Sequence, residues 1–252
     1  MTELAGRTAL VTGGGSGLGA AIAAALHGVG ANVVVVGRDV AKLDAVVEML
    51  GDRVRALPCD VADPASITAL RDELEGTPVS ILVNNAGVPG PVAALTDIEV
   101  EDWDAVFDVN VRGTYLMCKA FLPAMVARGA GDVINVASVS GKRPLAHRTP
   151  YVASKMAVIG LTSTLAFEVG PSGVSVNTLS PGPVAGPRMA RNFRLEAERS
   201  GTTVADAEHD FVSRAALGRM VTEEEVGLAV IAMLNMPGLC GADVDLSAGM
   251  VA

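Results

Sequence analysis

The sequence predicts an α/β fold with a doubly wound parallel sheet of seven strands, covered by helices on both faces. Three observations predict it. Short β-rich apolar runs alternate with helical patterns, the runs are apolar at successive positions, as at residues 33–36, and a glycine-rich turn follows the first run. Strands that are apolar at every position are buried on both faces, and right-handed crossovers then place helices above and below the sheet.

The predicted strands are distributed along the whole chain. The seven runs comprise residues 8–11, 33–36, 54–57, 81–83, 133–136, 174–179 and 244–246. No linker, internal repeat or low-complexity tract separates them. Residues 1–252 are therefore predicted to form a single domain.

Composition and charge limit the kinds of partner. Half of the 252 residues are hydrophobic but only 3% are aromatic, so the core is built mainly from aliphatic side chains. The formal net charge of −9 argues against a broad surface for nucleic acid or an anionic membrane. We therefore expect a small-molecule partner, with no nucleic-acid and no membrane partner.

The sequence carries no obvious export or metal signal. No charged-then-apolar leader precedes the first strand, and no apolar run approaches the roughly 18 residues of a membrane span, so we expect a cytoplasmic protein. Cys59, Cys118 and Cys240 are scattered and lack the spacing of metal ligands. They are predicted to be buried small hydrophobic residues, and no metal site is expected.

A glycine-rich turn, TGGGSGLG at residues 12–19, lies between the first strand and a helical pattern. At such a turn, glycine amides and the helix N-terminus can meet a pyrophosphate, where a Cβ would collide with it or with the packing of helix on strand. By itself the motif also fits a merely tight turn.

Further motifs follow this turn in order along the chain. They are Asn84-Asn85-Ala86-Gly87 after the fourth strand, Tyr151-x-x-x-Lys155, and Pro181-Gly182 after the sixth strand. With Thr12-Gly13-x-x-x-Gly17-x-Gly19, they resemble the motifs of the short-chain dehydrogenase/reductase family over essentially the whole chain. The resemblance is to the single-domain branch that includes 3-oxoacyl reductases and polyol or alcohol dehydrogenases. It implies a Rossmann-like fold and hydride transfer with a nicotinamide dinucleotide.

Tyr151 and Lys155 can account for the proton transfer of this reaction. Thr149 and Pro150 are predicted to be the N-cap and first position of a helix, which places Tyr151 and Lys155 one turn apart on one face. The ordinary pKa of tyrosine is about 10, and lowering it to near neutrality takes roughly 4 kcal/mol. A lysine ammonium about 4 Å away supplies roughly that much at an effective dielectric constant of about 20. We therefore expect Tyr151 to be the general acid/base.

The resemblance implies two further catalytic residues. Ser138 follows the fifth strand, at the edge where ligands of open α/β sheets bind, and its hydroxyl can hold the substrate oxygen. Ser140 is the competing serine and a candidate for lining the pocket. Asn110 matches the residue that holds a water linking the lysine to solvent, although a buried asparagine bonded to the backbone is an alternative for this position.

The resemblance also implies a set of cofactor-binding residues. The lysine holds the nicotinamide ribose beside the tyrosine, Asp60 and Val61 meet the adenine edge, and the carboxamide lies near the turn after the sixth strand. The complete expected set is Gly13, Gly15, Ser16, Gly17, Leu18, Gly19, Arg38, Asp60, Val61, Asn85, Ala86, Gly87, Tyr151, Lys155, Pro181, Gly182 and Val184.

The end of the second strand bears on the choice of cofactor. An NAD-preferring member carries an acid about 20 residues beyond the glycine motif, to bond the ribose 2′-hydroxyl, whereas here Gly37 and Arg38 occupy that place. Arginine can pair with a 2′-phosphate, so NADP(H) is favoured. NAD(H) stays open, because Asp39 lies nearby and the glycine turn holds no basic residue; Arg38 alternatively is only a solvated charge.

Residues 183–217 correspond to the family's substrate wall and lid. Arginines and acids alternate there, which is first of all the pattern of exposed helices with i,i+4 ion pairs. Arg188 is the candidate among these arginines for gripping an anionic substrate, and Leu145 and His147 are candidates for the other wall. By resemblance the chain is expected to form a homotetramer, with a dimer as alternative.

The expected function is an NAD(P)(H)-dependent oxidoreductase that interconverts a secondary alcohol and a ketone. One alternative is a 3-oxoacyl-thioester reductase, whose acyl carrier would need a basic rim around the pocket. An alternative of another class is a regulatory protein that senses dinucleotide, against which the complete Ser138, Tyr151, Lys155 and Asn110 set argues. Substrate identity, stereochemistry and direction are not determined by the sequence.

Overall fold

A seven-stranded parallel sheet forms the centre of the molecule. The structure is a computed structural model that describes residues 4–143 and 145–250, with every side chain in those ranges except that of Arg188. The strand order is β3-β2-β1-β4-β5-β6-β7. The strands are β1 (Thr8–Thr12), β2 (Asn32–Gly37), β3 (Val54–Pro58), β4 (Val79–Asn84), β5 (Gly131–Val136), β6 (Val174–Pro181) and β7 (Asp243–Leu246).

Helices cover both faces of this sheet. They are α1 (Gly17–Gly28), α2 (Val40–Leu50), α3 (Pro64–Glu73), α4 (Val100–Phe107), α5 (Gly113–Arg128), α6 (Thr149–Val169), α7 (Pro187–Ser200), α8 (Val204–Val212) and α9 (Glu223–Leu234). All seven predicted strands are confirmed, with small differences in their ends. The predicted doubly wound α/β fold is therefore correct.

Successive residues of the central strands enter two different cores. Ala9 and Val11 of β1 pack with α1, α2 and α9 on one face, whereas Leu10 packs with α3, α5 and α6 on the other. All three side chains are fully buried. Burial on both faces is the reason that the strands are apolar at every position. Because the strands are parallel, their carboxyl ends, which carry the functional motifs, lie at one edge of the sheet.

The helix that carries Tyr151 and Lys155 begins one residue earlier than predicted. Arg148 is the N-cap of α6, so Thr149 is its first residue and Pro150 its second. Pro150 is tolerated there because the first amides of a helix have no intrahelical acceptor. The prediction of Thr149 as N-cap was wrong, but Tyr151 and Lys155 still lie one turn apart.

The predicted long helix around Asn110 is interrupted. Residues Asp108–Arg112 form a π-helical turn between α4 and α5, and Asn110 lies at its centre. A π-turn inserts one extra residue into an α-helix and costs backbone hydrogen-bond quality, so it needs local support. Asn110 supplies that support through its side chain.

One helix is long and apolar enough to cross a membrane by length and composition. It comprises α6 and the following turn, Thr149–Ser172, with a mean hydropathy of 1.3 in its most apolar window. The expectation that no run approaches such a length was wrong here, because small polar residues between the aliphatic ones obscure the apolar stretch. Within the fold α6 packs on β6 and carries the buried Lys155, so we interpret it as a helix that covers the sheet.

The three cysteines differ in environment. Cys59 and Cys118 are buried, as predicted, and burial raises the pKa of the Cys118 thiol to about 12. Cys240 is exposed, in the loop before β7, so the prediction that it is buried was wrong.

This difference predicts selective thiol labelling. At neutral pH a water-soluble thiol reagent should modify Cys240 rapidly and should leave Cys59 and Cys118 unmodified in the native protein. The reagent cannot reach a buried thiol, and a protonated thiol is not nucleophilic. Mass spectrometry of the labelled peptides measures the three rates. Cys240→Ser should abolish rapid labelling, and rapid modification of Cys118 in the native protein would contradict the burial.

Candidate active site

The glycine turn between β1 and α1 is needed first for the fold itself. A Cβ on Gly19 would lie only 2.1 Å from the carbonyl oxygen of Gly13, and a Cβ on Gly14 would lie 2.7 Å from Cβ of Val35 on β2. Gly13 also has a φ of +66°, which residues other than glycine rarely adopt. These glycines let α1 start directly against the sheet.

The outer surface of the same turn is open. Ser16 and Gly17 are exposed, and the nearest atom that a Cβ on Gly17 would meet is Oε1 of Glu223, at 3.7 Å. Ser16 is the N-cap of α1, but its side chain caps no amide, and no acid lies in the first turn of the helix. Free amides facing open space beside glycines suit an anion, so these residues fit the pyrophosphate of a dinucleotide.

The end of β4 is bonded to the glycine turn. The Thr12 hydroxyl accepts hydrogen bonds from the backbone amides of Asn85 (2.9 Å) and Ala86 (3.0 Å). Nδ2 of Asn85 donates to the carbonyl oxygen of Thr12 at 2.9 Å. The structure thus brings Asn85 and Ala86 against Gly13, where a Cβ would lie 3.0 Å from Nδ2 of Asn85.

The remaining expected cofactor residues follow strands at the same edge. Oδ1 of Asp60, after β3, accepts from the amide of Ala62 at 3.0 Å, and Val61 is buried. After β6, a Cβ on Gly182 would lie 2.8 Å from Cα of Ser247, which explains that glycine by packing against the C-terminal segment. The edge therefore collects every strand-end motif that the sequence singled out.

Lys155 lies buried between β5 and α6. Its ammonium donates to the carbonyl oxygen of Val136 at 2.9 Å and lies 5.8 Å from the centre of the Tyr151 ring. A Cβ on Gly87 would come within 3.5 Å of the same nitrogen. Gly87 therefore lies against the lysine, in the segment after β4 where the resemblance implies the nicotinamide ribose.

Asn110 is held by the segment after β4 and by α6. Its Oδ1 accepts from the amide of Val88 at 2.8 Å, and its Nδ2 donates to the carbonyl oxygen of Val88 at 3.0 Å and to Oγ of Ser154 at 2.9 Å. Ser154 in turn donates to the carbonyl oxygen of Tyr151 at 2.8 Å. The side chain of Asn110 thus bonds to backbone, which was the alternative weighed for it, and it connects the π-turn to the catalytic helix.

Ser138 is almost buried at the end of β5. Its hydroxyl accepts from the amide of Ser140 at 3.1 Å and lies 3.5 Å from the carbonyl oxygen of Pro181. Ser138 and Ser140 therefore lie together beside the turn after β6.

A cluster of charges that the sequence did not indicate fixes the loop after Ser138. The ammonium of Lys142 bonds to Asp245 and lies 2.9 Å from Asp243. Partial burial acts to lower the pKa of Lys142, but the hydrogen bonds to the two carboxylates outweigh it and the pKa is raised. The loop is thereby tied to β7.

A second cation contacts the tyrosine ring. The guanidinium carbon of Arg148 lies 5.6 Å from the ring centre of Tyr151, so the ring has an arginine and a lysine as neighbours. The sequence places Arg148 only three residues before the tyrosine, and the N-cap position is what directs it to the ring.

The end of β2 carries two cations beside the glycine turn. Arg38 is exposed, and among the described residues no hydrogen bond or ion pair holds its side chain. Asp39 caps α2 by accepting from the amide of Lys42 and pairs with its ammonium at 3.0 Å. The hydrogen bond from the Lys42 side chain lowers the pKa of Asp39. A Cβ on Gly15 would lie 3.2 Å from Cβ of Lys42, a neighbour that the sequence analysis missed.

The expected substrate-pocket residues are less closely assembled. Leu145 and His147 are exposed in the loop before α6, and the carbonyl oxygen of His147 accepts from the amide of Ala93 at 3.1 Å. Arg188 lies in α7, but its side chain is outside the described part of the chain. Arg199 pairs with Glu196 at 2.6 Å on the same exposed helix, at a spacing of i,i+3 instead of the predicted i,i+4.

Comparisons with known proteins agree with this architecture. The short chain dehydrogenase family model matches residues 7–198. The D-threitol dehydrogenase of Mycolicibacterium smegmatis is 42% identical over 184 residues, which cover 71% of this chain and 70% of that protein. An uncharacterized oxidoreductase of Staphylococcus aureus is 40% identical over 73% of this chain and 80% of its own length.

Solved structures share the whole fold. An actinorhodin polyketide ketoreductase with NADPH superposes with a TM-score of 0.92 at 31% identity, covering 99% of this chain and 98% of that one. A protein described as ribose-5-phosphate isomerase from Brucella melitensis has a TM-score of 0.89 at 35% identity, covering 98% and 93%. Since one fold hosts different reactions, the family match carries the assignment. The chain belongs to the short chain dehydrogenase family, and it is an oxidoreductase that acts on CH–OH groups.

Proposed function

We propose that the protein interconverts a secondary alcohol and a ketone with a nicotinamide dinucleotide, using Tyr151 as general acid/base. One observation carries the proposal: the buried ammonium of Lys155 lies beside the Tyr151 ring and next to Gly87, at the sheet edge that also holds the glycine turn. This arrangement puts a proton donor, a cation and an anion-binding turn on one surface.

The chain's residues have separate tasks in this reaction. The nicotinamide supplies or accepts the hydride when the cofactor is bound. In the reductive direction, the Tyr151 hydroxyl gives its proton to the substrate oxygen as that oxygen gains negative charge, and in the oxidative direction the phenolate takes the proton back. The ammonium of Lys155 stabilises the phenolate, and the Ser138 hydroxyl donates to the substrate oxygen.

We assign to Asn110 a role in the proton relay behind Lys155. Its side chain is bonded to Val88 and Ser154. Among the described residues, the Oδ1 atom accepts only one hydrogen bond, from Val88, and keeps a second lone pair that can accept from a water of the relay.

NADP(H) is the proposed cofactor, with NAD(H) as the alternative. Arg38 and Lys42 offer two cations near the glycine turn, and Asp39, which directly follows Arg38, caps α2 and pairs with Lys42. An NADPH-bound ketoreductase of the same fold supports this preference. A 2′-phosphate beside two cations would form charge-assisted hydrogen bonds that a 2′-hydroxyl cannot.

Replacing Arg38 should therefore change the choice of cofactor. We expect Arg38→Ala to weaken NADPH binding about tenfold and to leave NADH binding within about twofold, since a charge-assisted hydrogen bond contributes about 1.5 kcal/mol. Fluorescence titration of both cofactors measures this. Arg71→Ala, which removes an exposed arginine of α3, is the control. An unchanged ratio of the two affinities in Arg38→Ala would assign Arg38 to the solvated surface.

For the substrate we propose a small hydroxy or oxo compound, with a 3-oxoacyl thioester as the second candidate. The relatives include a D-threitol dehydrogenase and a structure described as a putative betaketoacyl-ACP reductase. Arg191 and Arg194 are exposed on α7 and provide basic groups that a carrier protein could contact. Comparing the rate of D-threitol oxidation with that of 3-oxoacyl thioester reduction separates the two candidates. Binding of a dinucleotide without turnover of any alcohol or ketone would instead favour a regulatory protein that senses the dinucleotide.

We further propose that residues 1–252 form one domain, in which residues 183–217 form the substrate lid.

We also propose that the chain forms a homotetramer, with a dimer as the alternative. Tyr115 on α5 and Met156 and Phe167 on α6 are exposed apolar side chains, and Phe167 is 85% exposed in the single chain. Such side chains favour burial against a second copy. The net charge of −9 argues against a nucleic-acid or anionic-membrane partner, and we propose a cytoplasmic location. Light scattering after size-exclusion chromatography measures the oligomeric state.

A further inference from the structure

We propose that Glu223 competes with the pyrophosphate of the dinucleotide and thereby limits the affinity for the cofactor. The inference rests on the proposed function, because it requires that a dinucleotide binds at the glycine turn. Glu223 is the first residue of α9, and its side chain is half-buried.

Two long-range contacts bring Glu223 to the glycine turn. Val221 forms a parallel bridge with Val184, and its carbonyl oxygen accepts from the amide of Ala185 at 2.8 Å, so the start of α9 lies beside the segment that follows β6. Further along α9, a Cβ on Gly227 would lie 2.8 Å from Cβ of Ala25 in α1. The same Cβ would lie 3.0 Å from the carbonyl oxygen of Ala21, so the middle of α9 packs directly against α1.

The carboxylate of Glu223 consequently lies between two helix starts. Its Oε1 would be 3.7 Å from a Cβ on Gly17, the first residue of α1, and 3.4 Å from a Cβ on Gly186, the N-cap of α7. The Ser16 side chain caps no amide of α1, Gly186 has no side chain that could cap α7, and no acid lies in the first turn of either helix. Among the described side chains Glu223 is therefore an anion near both starts, supplied by a third helix.

The neighbouring acids of α9 do not share this position. Glu225 pairs with Arg219 at 2.6 Å and completes the capping box with Thr222, and Glu224 is exposed. Among the described residues, no hydrogen bond or ion pair holds the carboxylate of Glu223. It is free to take the place of an external anion at the turn.

A bound pyrophosphate would bring negative charge to the same uncapped helix start. The carboxylate then either stays and repels the ligand or moves into solvent and gives up its favourable position at the two helices. Both outcomes weaken binding of the cofactor.

The test is the affinity of the purified full chain for cofactor after removal of this charge. We expect Glu223→Gln to bind both NADPH and NADH about fivefold more tightly, because an anion at a helix start contributes up to about 1 kcal/mol and the pyrophosphate is common to both cofactors. The ratio of the two affinities should stay unchanged, unlike in Arg38→Ala. The dissociation constant of inorganic pyrophosphate, measured by competition and corrected for the tighter binding of NADPH, should fall by a similar factor, and Glu223→Ala should show the same gains.

Glu224→Gln is the matched control, since it removes the same charge one residue further along the helix and should leave both affinities unchanged. Equal affinities in wild type and Glu223→Gln would overturn the inference while leaving the proposed function intact. An equal gain in Glu224→Gln would also overturn it, because the effect would then be one of net charge. If neither wild type nor the variants bind any dinucleotide, the proposed function fails together with the inference.

Discussion

Tyr151→Phe is expected to abolish turnover, with a loss of about a thousandfold or more, while cofactor binding stays within about twofold of wild type. The substitution removes the phenolic oxygen and keeps the ring that lies against Lys155 and Arg148. Proton transfer by a positioned side chain contributes a factor of about 10² to 10⁴ in rate. Among the described residues, no other titratable side chain between Ser138 and Lys155 is placed to take over this transfer. Steady-state rates and NADPH fluorescence, measured on the same preparation, separate the two effects.

The chain contains an internal control for this experiment. Its second tyrosine, Tyr115, is 46% exposed on α5 and contacts Lys119 in a similar ring–ammonium arrangement, at 5.8 Å. Tyr115→Phe should retain full activity. If Tyr151→Phe turned over substrate as fast as Tyr115→Phe does, Tyr151 would not be the acid/base.

Gly19→Ala should have the largest effect on stability. A Cβ at this position would lie 2.1 Å from the carbonyl oxygen of Gly13, a backbone atom of the preceding turn, and 2.6 Å from Nδ2 of Asn85. The carbonyl oxygen cannot move without shifting the turn after β1, and the Asn85 side chain can move only by giving up its hydrogen bond to Thr12. We expect the free energy of unfolding to fall by about 3 kcal/mol or more, and NADPH binding to be lost because the turn is displaced. Urea denaturation and fluorescence titration measure the two losses.

Gly28→Ala provides the comparison within the same helix. Gly28 is the last residue of α1, and a Cβ there would have no neighbour within 4 Å. Because alanine favours helix more than glycine does, this variant should be as stable as wild type or more stable by up to about 1 kcal/mol. A Gly19→Ala protein as stable as Gly28→Ala would contradict the close approach of α1 to the turn.

The sequence predicted the parts of the fold that depend on local pattern. The seven strands were predictable because burial on both faces produces continuous apolar runs, such as Leu10 and Val11 on opposite sides of β1. The capping box of Thr222 and Glu225 likewise depends only on local sequence, since its members are three residues apart.

The features that the sequence could not predict depend on contacts between distant segments. The π-turn around Asn110 is supported by hydrogen bonds to Val88, 22 residues away, and to Ser154, 44 residues away. Glu223 reaches the glycine turn only because Val221 pairs with Val184. Lys42 lies beside Gly15 because Asp39 starts α2 there. No periodicity within one segment carries this information.

The π-turn also has a consequence for how insertions and deletions can be accepted in this chain. Each residue of an α-helix advances the side chains by about 100°, so deleting one residue between Asp108 and Arg112 would straighten the helix and rotate all of α5 relative to α4. Met117 and Met125, which are fully buried, would then turn away from the sheet, or Asn110 would turn away from Val88. The extra residue thus sets the rotation of α5 relative to α4, so that the buried faces of both helices meet their own neighbours. The number of residues in this turn is therefore constrained as well as the identity of Asn110.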